Sequence, residues 1–253
     1  MAAPMRQKLL HIHIPGIVPY ATAARLQETL VSRFLAAKPP STKPLPPPHI
    51  ITATFNPVYT CGRRENGKVS PEQEAHLRAN GRADFVEALR GGQTTFHGPG
   101  QLVAYPILDL RTHKLSPRHY VCLLEKSLIA TCAQYGVKAM TTEHTGVWTT
   151  PEDKIAAIGV HMRRNVTSHG IGLNVNTDLW WFDRIVACGL EGKRTTSLEK
   201  EGCEGLSVEG VGRVFVDEVA ERLVGVEGVE RVGEEEVQEM LRGIKVKLIP
   251  QIT

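Results

Sequence analysis

The sequence predicts an α+β fold, because a few long helical segments separate clusters of strand-like segments. Apolar residues recur at helical spacing over residues 19–37 and 206–224. Ser116 and Pro117 mark the start of another helix, and Gly136 marks its end. A short charged helix is expected over residues 234–243. Strand-like segments fill much of the remainder: 49–55, 57–60, 101–110, 136–141, 145–150, 154–162, 170–177 and 244–249.

A single domain spanning residues 1–253 is expected, since the sequence has no internal repeat. Residues 38–48 hold six prolines in eleven positions, which neither a helix nor a central strand tolerates. We therefore predict a proline-rich surface insertion at 38–48. The polar stretch 63–82 is expected to be a loop.

The composition favours an ordinary globular protein and excludes several functional classes. Hydrophobic residues make up 42% of the chain and charged residues 23%, which is enough apolar material for a core. The net charge of +3 is too small to indicate a nucleic-acid-binding protein, although it suits an acidic protein partner. No apolar run is long enough to span a membrane.

Five widely spaced cysteines without a C-x-x-C motif favour a reducing compartment over a disulfide framework or a structural zinc site. Cys122 and Cys132 fall on a helix and are expected in the core. Cys61 precedes two arginines, which could lower the pKa of its thiol. Cys203 lies among glutamates and is a poor candidate nucleophile. Cys188 is either a buried structural cysteine or a nucleophile, and its position alone leaves both open.

Lys154 stands at the start of a strand of small and apolar residues. It is either a solvated strand end or a partly buried ammonium beside a nucleophile. His97 and His169 each lie beside glycine and have no metal-ligand spacing. The GRRENG sequence at 62–67 lacks the full pattern of a phosphate-binding loop.

The most distinctive segment is RGGQTTFHGPGQ at 90–101, which leads directly into the apolar run LVAYPIL. Its four glycines give the backbone unusual freedom directly in front of a buried-looking strand. This segment occurs in order with NPVYTCGRR, KIAAIGVHMRRNVTSHGIGLNVNTDLWWF and IVACGLEGKRTTSL. Together the four segments, from about Ile17 to Leu198, resemble the lipoyl(octanoyl) transferases of lipoate biosynthesis.

The resemblance implies the fold of biotin protein ligases and lipoate ligases: a large mixed β-sheet plus a smaller sheet, flanked by helices. It also implies a catalytic pair, Cys188 as nucleophile and Lys154. Phe96 stands where the family commonly has tyrosine, and Ala187 where proline often precedes the cysteine. The substrate-binding residues implied by the motifs are Arg90, Gly91, Gly92, Gln93, Thr94, Thr95, Phe96, His97, Ala157, Ile158, Gly159, Gly170, Ile171 and Gly172.

The implied activity is transfer of an octanoyl group from octanoyl-acyl-carrier protein to a lysine, through a cysteine thioester. The acceptors implied are lipoyl domains of 2-oxoacid dehydrogenases and the glycine cleavage H protein. No cofactor or metal is expected, because the donor thioester is already activated. The basic start, with Arg6 and Lys8, and the proline-rich insertion favour a mitochondrial enzyme; a bacterial member would be cytoplasmic.

Three other hypotheses remain. An ATP-dependent lipoate or biotin ligase of the same fold would need a nucleotide-phosphate loop and no nucleophilic cysteine. A non-catalytic module that binds lipoyl domains would have no reason to keep both Cys188 and Lys154. A zinc-binding protein is the third, and metal analysis would test it.

Overall fold

The computed structural model describes residues 7–185 and 192–244. Serine caps begin several of its helices, because the serine hydroxyl accepts a hydrogen bond from an otherwise unpaired backbone N–H. Ser116 caps α3 and Ser207 caps α4 in this way. The helices in these ranges are α1 Tyr20–Ala36, α2 Pro71–Leu77, α3 Pro117–Gln134, a 3-10 helix Leu179–Arg184, α4 Val208–Arg222 and α5 Glu234–Gly243.

The strands are mostly short and rich in β-branched residues, as expected for buried pleated surfaces. Their bounds are β1 Gln7–Val18, β2 His49–Phe55, β3 Val58–Cys61, β4 Asp84–Glu87, β5 Thr95–His97, β6 Gln101–Ile107, β7 Val147–Trp148, β8 Asp153–Arg163, β9 Val166–Asn174, β10 Arg194–Thr195 and β11 Val226–Arg231.

Within the described ranges the large sheet is mixed and has eight strands, in the order β10-β8-β9-β6-β2-β1-β11, with β7 also paired to β8. The centre is antiparallel: β2 pairs with β6, β6 with β9, and β9 with β8. Parallel pairs of β1 with β2 and β11 extend the sheet on one side. This arrangement puts β8 and β9 side by side near one edge.

Helices cover both faces of the large sheet, because its central strands are apolar on both sides. α3 and α4 pack on one face, where Tyr120 and Phe215 join the core that contains Leu9. α1 packs on the other face, where Leu26 and Phe34 join a second core.

The smaller sheet has three strands in the order β4-β3-β5. Its own core is aromatic: Tyr59, Phe96 and Trp181 are buried together, and the rings of Phe96 and Trp181 stack with centroids 4.9 Å apart. The 3-10 helix therefore packs on the small sheet.

The α+β fold with a large mixed sheet and a smaller sheet is confirmed, as are the helices expected over 19–37, 206–224 and 234–243. The prediction of an uninterrupted loop over 63–82 is wrong: α2 lies inside it, begun by a capping box between Ser70 and Gln73. The strand expected over 136–141 is also wrong, since only an isolated bridge from Met140 to Trp148 forms there. Residues 245–249 of the expected last strand lie outside the described ranges.

Candidate active site

A cavity of about 470 Å³ lies between the ends of β8 and β9 and the segment that leads from Arg90 into β5. This volume is in the range of small-molecule sites. It is lined by Tyr20, Arg64, Arg90, Gly91, Gly92, Gln93, Thr94, Thr95, His97, Tyr105, Val121, Glu143, His144, Thr145, Lys154, Ala157, Ile158, Gly159, Val160, His169, Gly170, Ile171 and Gly172.

Small residues on two paired strands form one wall of this cavity. Ala157 lies opposite Gly172, and Gly159 lies opposite Gly170 in the β8–β9 ladder. A Cβ at Gly159 would lie 3.1 Å from Arg90 Cδ, and one at Gly172 would lie 3.1 Å from Gln101 Oε1, so larger side chains at these positions would displace their neighbours. The wall therefore leaves room for an apolar chain.

The facing wall is fixed by Arg90, which is buried and donates hydrogen bonds at both ends of its guanidinium group. Its Nη1 donates to the carbonyls of Gly91 and Gln93 at 3.0 and 2.9 Å, and its Nε donates to Thr60 Oγ1 at 3.1 Å. The Gly91 N–H donates to the Val160 carbonyl at 3.0 Å, which joins this wall to β8. Arg90 thus holds the glycine-rich loop in place.

His97 is part of a buried chain of hydrogen bonds. Its Nδ1 lies 2.7 Å from Gln101 Oε1, and Gln101 Nε2 donates to Asn174 Oδ1 at 2.9 Å. Asn174 Nδ2 in turn donates to the Thr196 carbonyl at 2.9 Å. Since the Gln101 oxygen can only accept, Nδ1 of His97 carries the proton and Nε2 remains an acceptor. Burial lowers the pKa of His97 to about 4, so the ring is neutral near pH 7.

His169 and the two tyrosines of the cavity are also uncharged near neutral pH. Burial lowers the pKa of His169 to about 3. Burial raises the pKa of Tyr20 and raises that of Tyr105 well above its ordinary value, so both keep their hydroxyl protons. The charges of the cavity therefore come from its arginines, from Lys154 and from the exposed Glu143.

Lys154 lies at the opposite end of the same wall and is only 7% exposed. Its Nζ donates to the Thr145 carbonyl at 3.0 Å and lies 5.2 Å from the centroid of the Trp148 ring. A second, smaller cavity of about 30 Å³ is lined by Lys154 together with Phe182, Ile185 and Thr195. The structure therefore buries this lysine between two cavities instead of leaving it at a solvated strand end.

Cys188 lies outside the described residues, and so does Ala187. Among the other cysteines, Cys132 is buried in the core as expected, whereas Cys122 is only half-buried. The expectation for Cys61 is wrong: it is fully buried in β3, and burial raises the pKa of its thiol. The arginines that follow Cys61 are exposed and do not offset this burial.

Thirteen of the fourteen substrate-binding residues implied by the resemblance line the larger cavity. The exception is Phe96, whose ring is buried in the aromatic core of the small sheet and not in the cavity wall. The HGIG sequence at 169–172 lies within β9 and forms no turn.

Several lining residues were missed by sequence reasoning. Tyr20 and Tyr105 belong to a helix and a strand that were read only as core elements. Glu143 and His144 precede the strand expected at 145–150, and Thr145 was read only as the start of that strand.

No cluster of metal-binding side chains occurs among residues 7–185 and 192–244. Over the same ranges, no helix is both long and apolar enough to cross a bilayer.

Comparison with known proteins places the chain in a family. Residues 19–220 match the family described as the lipoyl protein ligase A/B catalytic domain. The chain is 52% identical to a Schizosaccharomyces pombe protein named "Probable octanoyltransferase", over 74% of this chain and 83% of that protein. It is 45% identical to the zebrafish (Danio rerio) "Octanoyl-[acyl-carrier-protein]:protein N-octanoyltransferase LIPT2, mitochondrial", over 75% of this chain and 81% of that protein.

Solved structures agree on the fold. A lipoate-protein ligase A bound with ATP superposes with a TM-score of 0.67 at 14% identity, covering 94% of this chain and 93% of that one. The bipartite lipoate protein ligase from Thermoplasma acidophilum gives a TM-score of 0.64 at 14% identity, covering 94% and 91%. The fold, the matched family and the identities above 40% together show that this chain belongs to the lipoyl protein ligase A/B catalytic family, among its octanoyltransferases.

Proposed function

We propose that this octanoyltransferase moves its acyl group in two steps, from a carrier-protein thioester to Cys188 and from Cys188 to a protein lysine. The enzyme is mitochondrial, as are the vertebrate relatives by name. It takes its acyl group from a donor and passes it to a lipoyl-accepting protein. We assign octanoyl-acyl-carrier protein as the donor, and the lipoyl domains of 2-oxoacid dehydrogenases and the glycine cleavage H protein as acceptors.

The observation that carries the proposal is the burial of Lys154 beside both ends of the segment that contains Cys188. Ile185, which precedes residues 186–191, lines the small cavity with Lys154. Thr195, which follows them, is paired with Lys154 between β10 and β8, and the Thr196 N–H donates to the Lys154 carbonyl at 2.9 Å. Three residues span at most about 11 Å, so position 188 lies within that distance of Ile185, a residue that shares the small cavity with Lys154.

In the first step the Cys188 thiolate attacks the donor carbonyl, a new S–C bond forms, and the bond to the carrier's sulfur breaks. An ammonium beside the thiol favours the thiolate, which is otherwise a small fraction near pH 7. Lys154 gives its proton to the departing carrier thiolate and becomes neutral. The octanoyl chain lies along the small residues of β8 and β9.

In the second step the amine of the acceptor lysine attacks the acyl-enzyme, a C–N bond forms, and the S–C bond to Cys188 breaks. The neutral Lys154 takes the proton that the amine loses, which restores the starting state. Both steps balance without ATP, a metal or a redox partner.

Single-site variants analysed by intact mass test the proposal. After mixing with octanoyl-acyl-carrier protein, the unaltered enzyme should gain one octanoyl group, and Cys188→Ser should gain none. Cys203→Ser, which removes a half-buried cysteine away from the cavity, should still gain it. An octanoyl thioester on another cysteine of the Cys188→Ser variant, or release of pyrophosphate from ATP with free octanoate, would contradict the proposal.

We also propose that residues 1–253 form a single catalytic domain in which 38–48 is a surface insertion. Most side chains of this segment are exposed, and no helix or strand forms between α1 and β2. Limited proteolysis should cut first within 38–48, and the two resulting fragments should stay folded and associated.

A further inference from the structure

The Lys154 ammonium is held by the short turn that leads into β7. The Thr145 carbonyl accepts its hydrogen bond at 3.0 Å, and the Trp148 ring faces it with the centroid 5.2 Å away. Both neighbours stabilise a cation, the carbonyl through its oxygen and the ring through the negative charge of its face.

Trp148 is itself rigidly placed. It is 1% exposed, and its Nε1 donates to the His144 carbonyl at 3.1 Å. Its backbone N–H and C=O exchange hydrogen bonds with Met140 at 3.0 and 2.8 Å. The ring is therefore a fixed platform for the ammonium.

Position 146 must be glycine for the lysine to reach this platform. Its φ is +129°, a region that residues with a Cβ rarely adopt. A Cβ there would lie 2.5 Å from Lys154 Cε, 3.0 Å from Lys154 Nζ and 2.7 Å from the Ala156 carbonyl oxygen. The carbonyl oxygen belongs to β8 and cannot yield cheaply, so the lysine side chain would be displaced.

The geometry points to Trp148 and Gly146 as positioning residues of the transfer: the ring fixes the charged end of Lys154, and the glycine leaves the space that it occupies. The inference rests on the proposed role of Lys154. It predicts that the rate of acyl-enzyme formation follows the electron density of the ring at position 148, with an unchanged KM for the donor.

The decisive experiment replaces Trp148 site-specifically with mono-, di- and trifluorotryptophan. Fluorine weakens the negative face of the ring with little change in its shape, so a merely structural role would leave the rate unchanged. We expect the rate to fall stepwise, on the order of tenfold in all, because each added fluorine weakens the cation–π contact with Lys154. The same series at Trp180, which is exposed and faces Arg82 and Arg184, should leave the rate unchanged.

A second variant tests whether Gly146 is needed to leave space for the Lys154 side chain. Gly146→Ala should lower the rate more than tenfold, and Gly136→Ala should not, although Gly136 also has a positive φ of +77°. A Cβ at Gly136 meets nothing within 4 Å, so this control carries backbone strain without displacing a lysine. Thermal unfolding of both variants separates loss of fold from loss of rate.

Lys154→Met tests the proposed role of Lys154 separately from the positioning role of Trp148 and Gly146. If that variant forms the acyl-enzyme at the full rate, both the proposed role of Lys154 and this inference are overturned. If it is inactive while the fluorinated series keeps a constant rate, only the inference is overturned.

Discussion

Gly92 has a backbone φ of +86°, in the left-handed region that residues with a Cβ rarely adopt. A Cβ there would approach only Arg90 Nη1, at 3.5 Å, which is an ordinary contact. Glycine is therefore required at this position by the left-handed backbone conformation of the loop and not by a lack of space. Arg90 bonds to the carbonyls on either side, so the loop cannot relax without losing those hydrogen bonds.

Gly91→Ala and Gly92→Ala should consequently differ in stability. Gly92→Ala should lower the free energy of unfolding by about 1–2 kcal/mol, the cost of a left-handed residue with a Cβ. Gly91→Ala should cost less, because its φ is not positive and its Cβ would lie 3.4 Å from the Val160 carbonyl oxygen. Urea denaturation measures both, and equal losses would contradict the conformational explanation.

The environments of single residues, such as Lys154 and Cys61, could not be predicted from sequence motifs alone. Lysine at a strand start is usually exposed, so only the resemblance favoured a buried Lys154. The Thr145 carbonyl and the Trp148 ring beside it come from the segment 145–150, which the sequence marks only as a strand and not as part of a site. The prediction for Cys61 failed because residues that are neighbours in sequence need not be neighbours in space. The two arginines after Cys61 do not reveal that its side chain points into the core.

Among the elements, the proline-rich segment 38–48 is fixed at its first residue. Lys38 Nζ lies 2.5 Å from Asp109 Oδ2, and both side chains are less than a tenth exposed. Asp109 also accepts from the Arg111 N–H at 3.2 Å and forms a bridge with Val166. The segment is thus attached to the end of β6 and the start of β9.

Lys38→Met should therefore destabilise the fold. It leaves a buried carboxylate without its cation, which costs about 3–5 kcal/mol. Lys43→Met, in the exposed part of the same segment, should change the free energy of unfolding by less than about 0.5 kcal/mol. Lys38→Met/Asp109→Leu should recover much of the loss; failure to recover any of it would show that the pair is not the cause.

Long periodic elements were predictable because hydrophobic spacing decides them. Several other elements, α2 and β1 among them, were not predictable in this way. α2 has one buried side chain, Leu77, and owes its start to the Ser70 capping box, a local signal inside a polar stretch. β1 alternates Ile12 and Ile14 with His11 and His13, and these histidines share the buried hydroxyl of Thr52. His11 is buried and His13 is half-buried, so both faces of β1 are covered, which the polar residue type does not indicate, and β1 was not predicted.

At the scale of the whole molecule, the buried histidines make stability depend on pH. Burial lowers the pKa values of His11, His49 and His97 from 6.5 to about 4, and that of His169 to about 3. Below pH 6.5 the unfolded chain gains protons that the folded chain does not take up. Acidification therefore favours unfolding.

We expect the free energy of unfolding to be constant from pH 7 to 8.5 as far as these groups are concerned, and to fall as pH drops from 6.5 toward 4. Each histidine contributes a loss of about 1.4 kcal/mol per pH unit in that interval. His11→Gln changes a residue outside the cavity lining. It should reduce the dependence of the free energy of unfolding on pH by about 1.4 kcal/mol per pH unit. Urea denaturation at successive pH values measures this, and a flat profile between pH 7 and 5 would contradict it.

The sheet topology has a consequence for how the chain becomes folded. β1 pairs with β2 on one side and with β11 on the other, so its last neighbour is made from residues 226–231. Pairings between such distant segments form slowly, and the waiting strand edge is prone to aggregate. Until residues 226–231 pair with β1, that edge of the strand has no partner, and this is when the folding chain is most prone to aggregate.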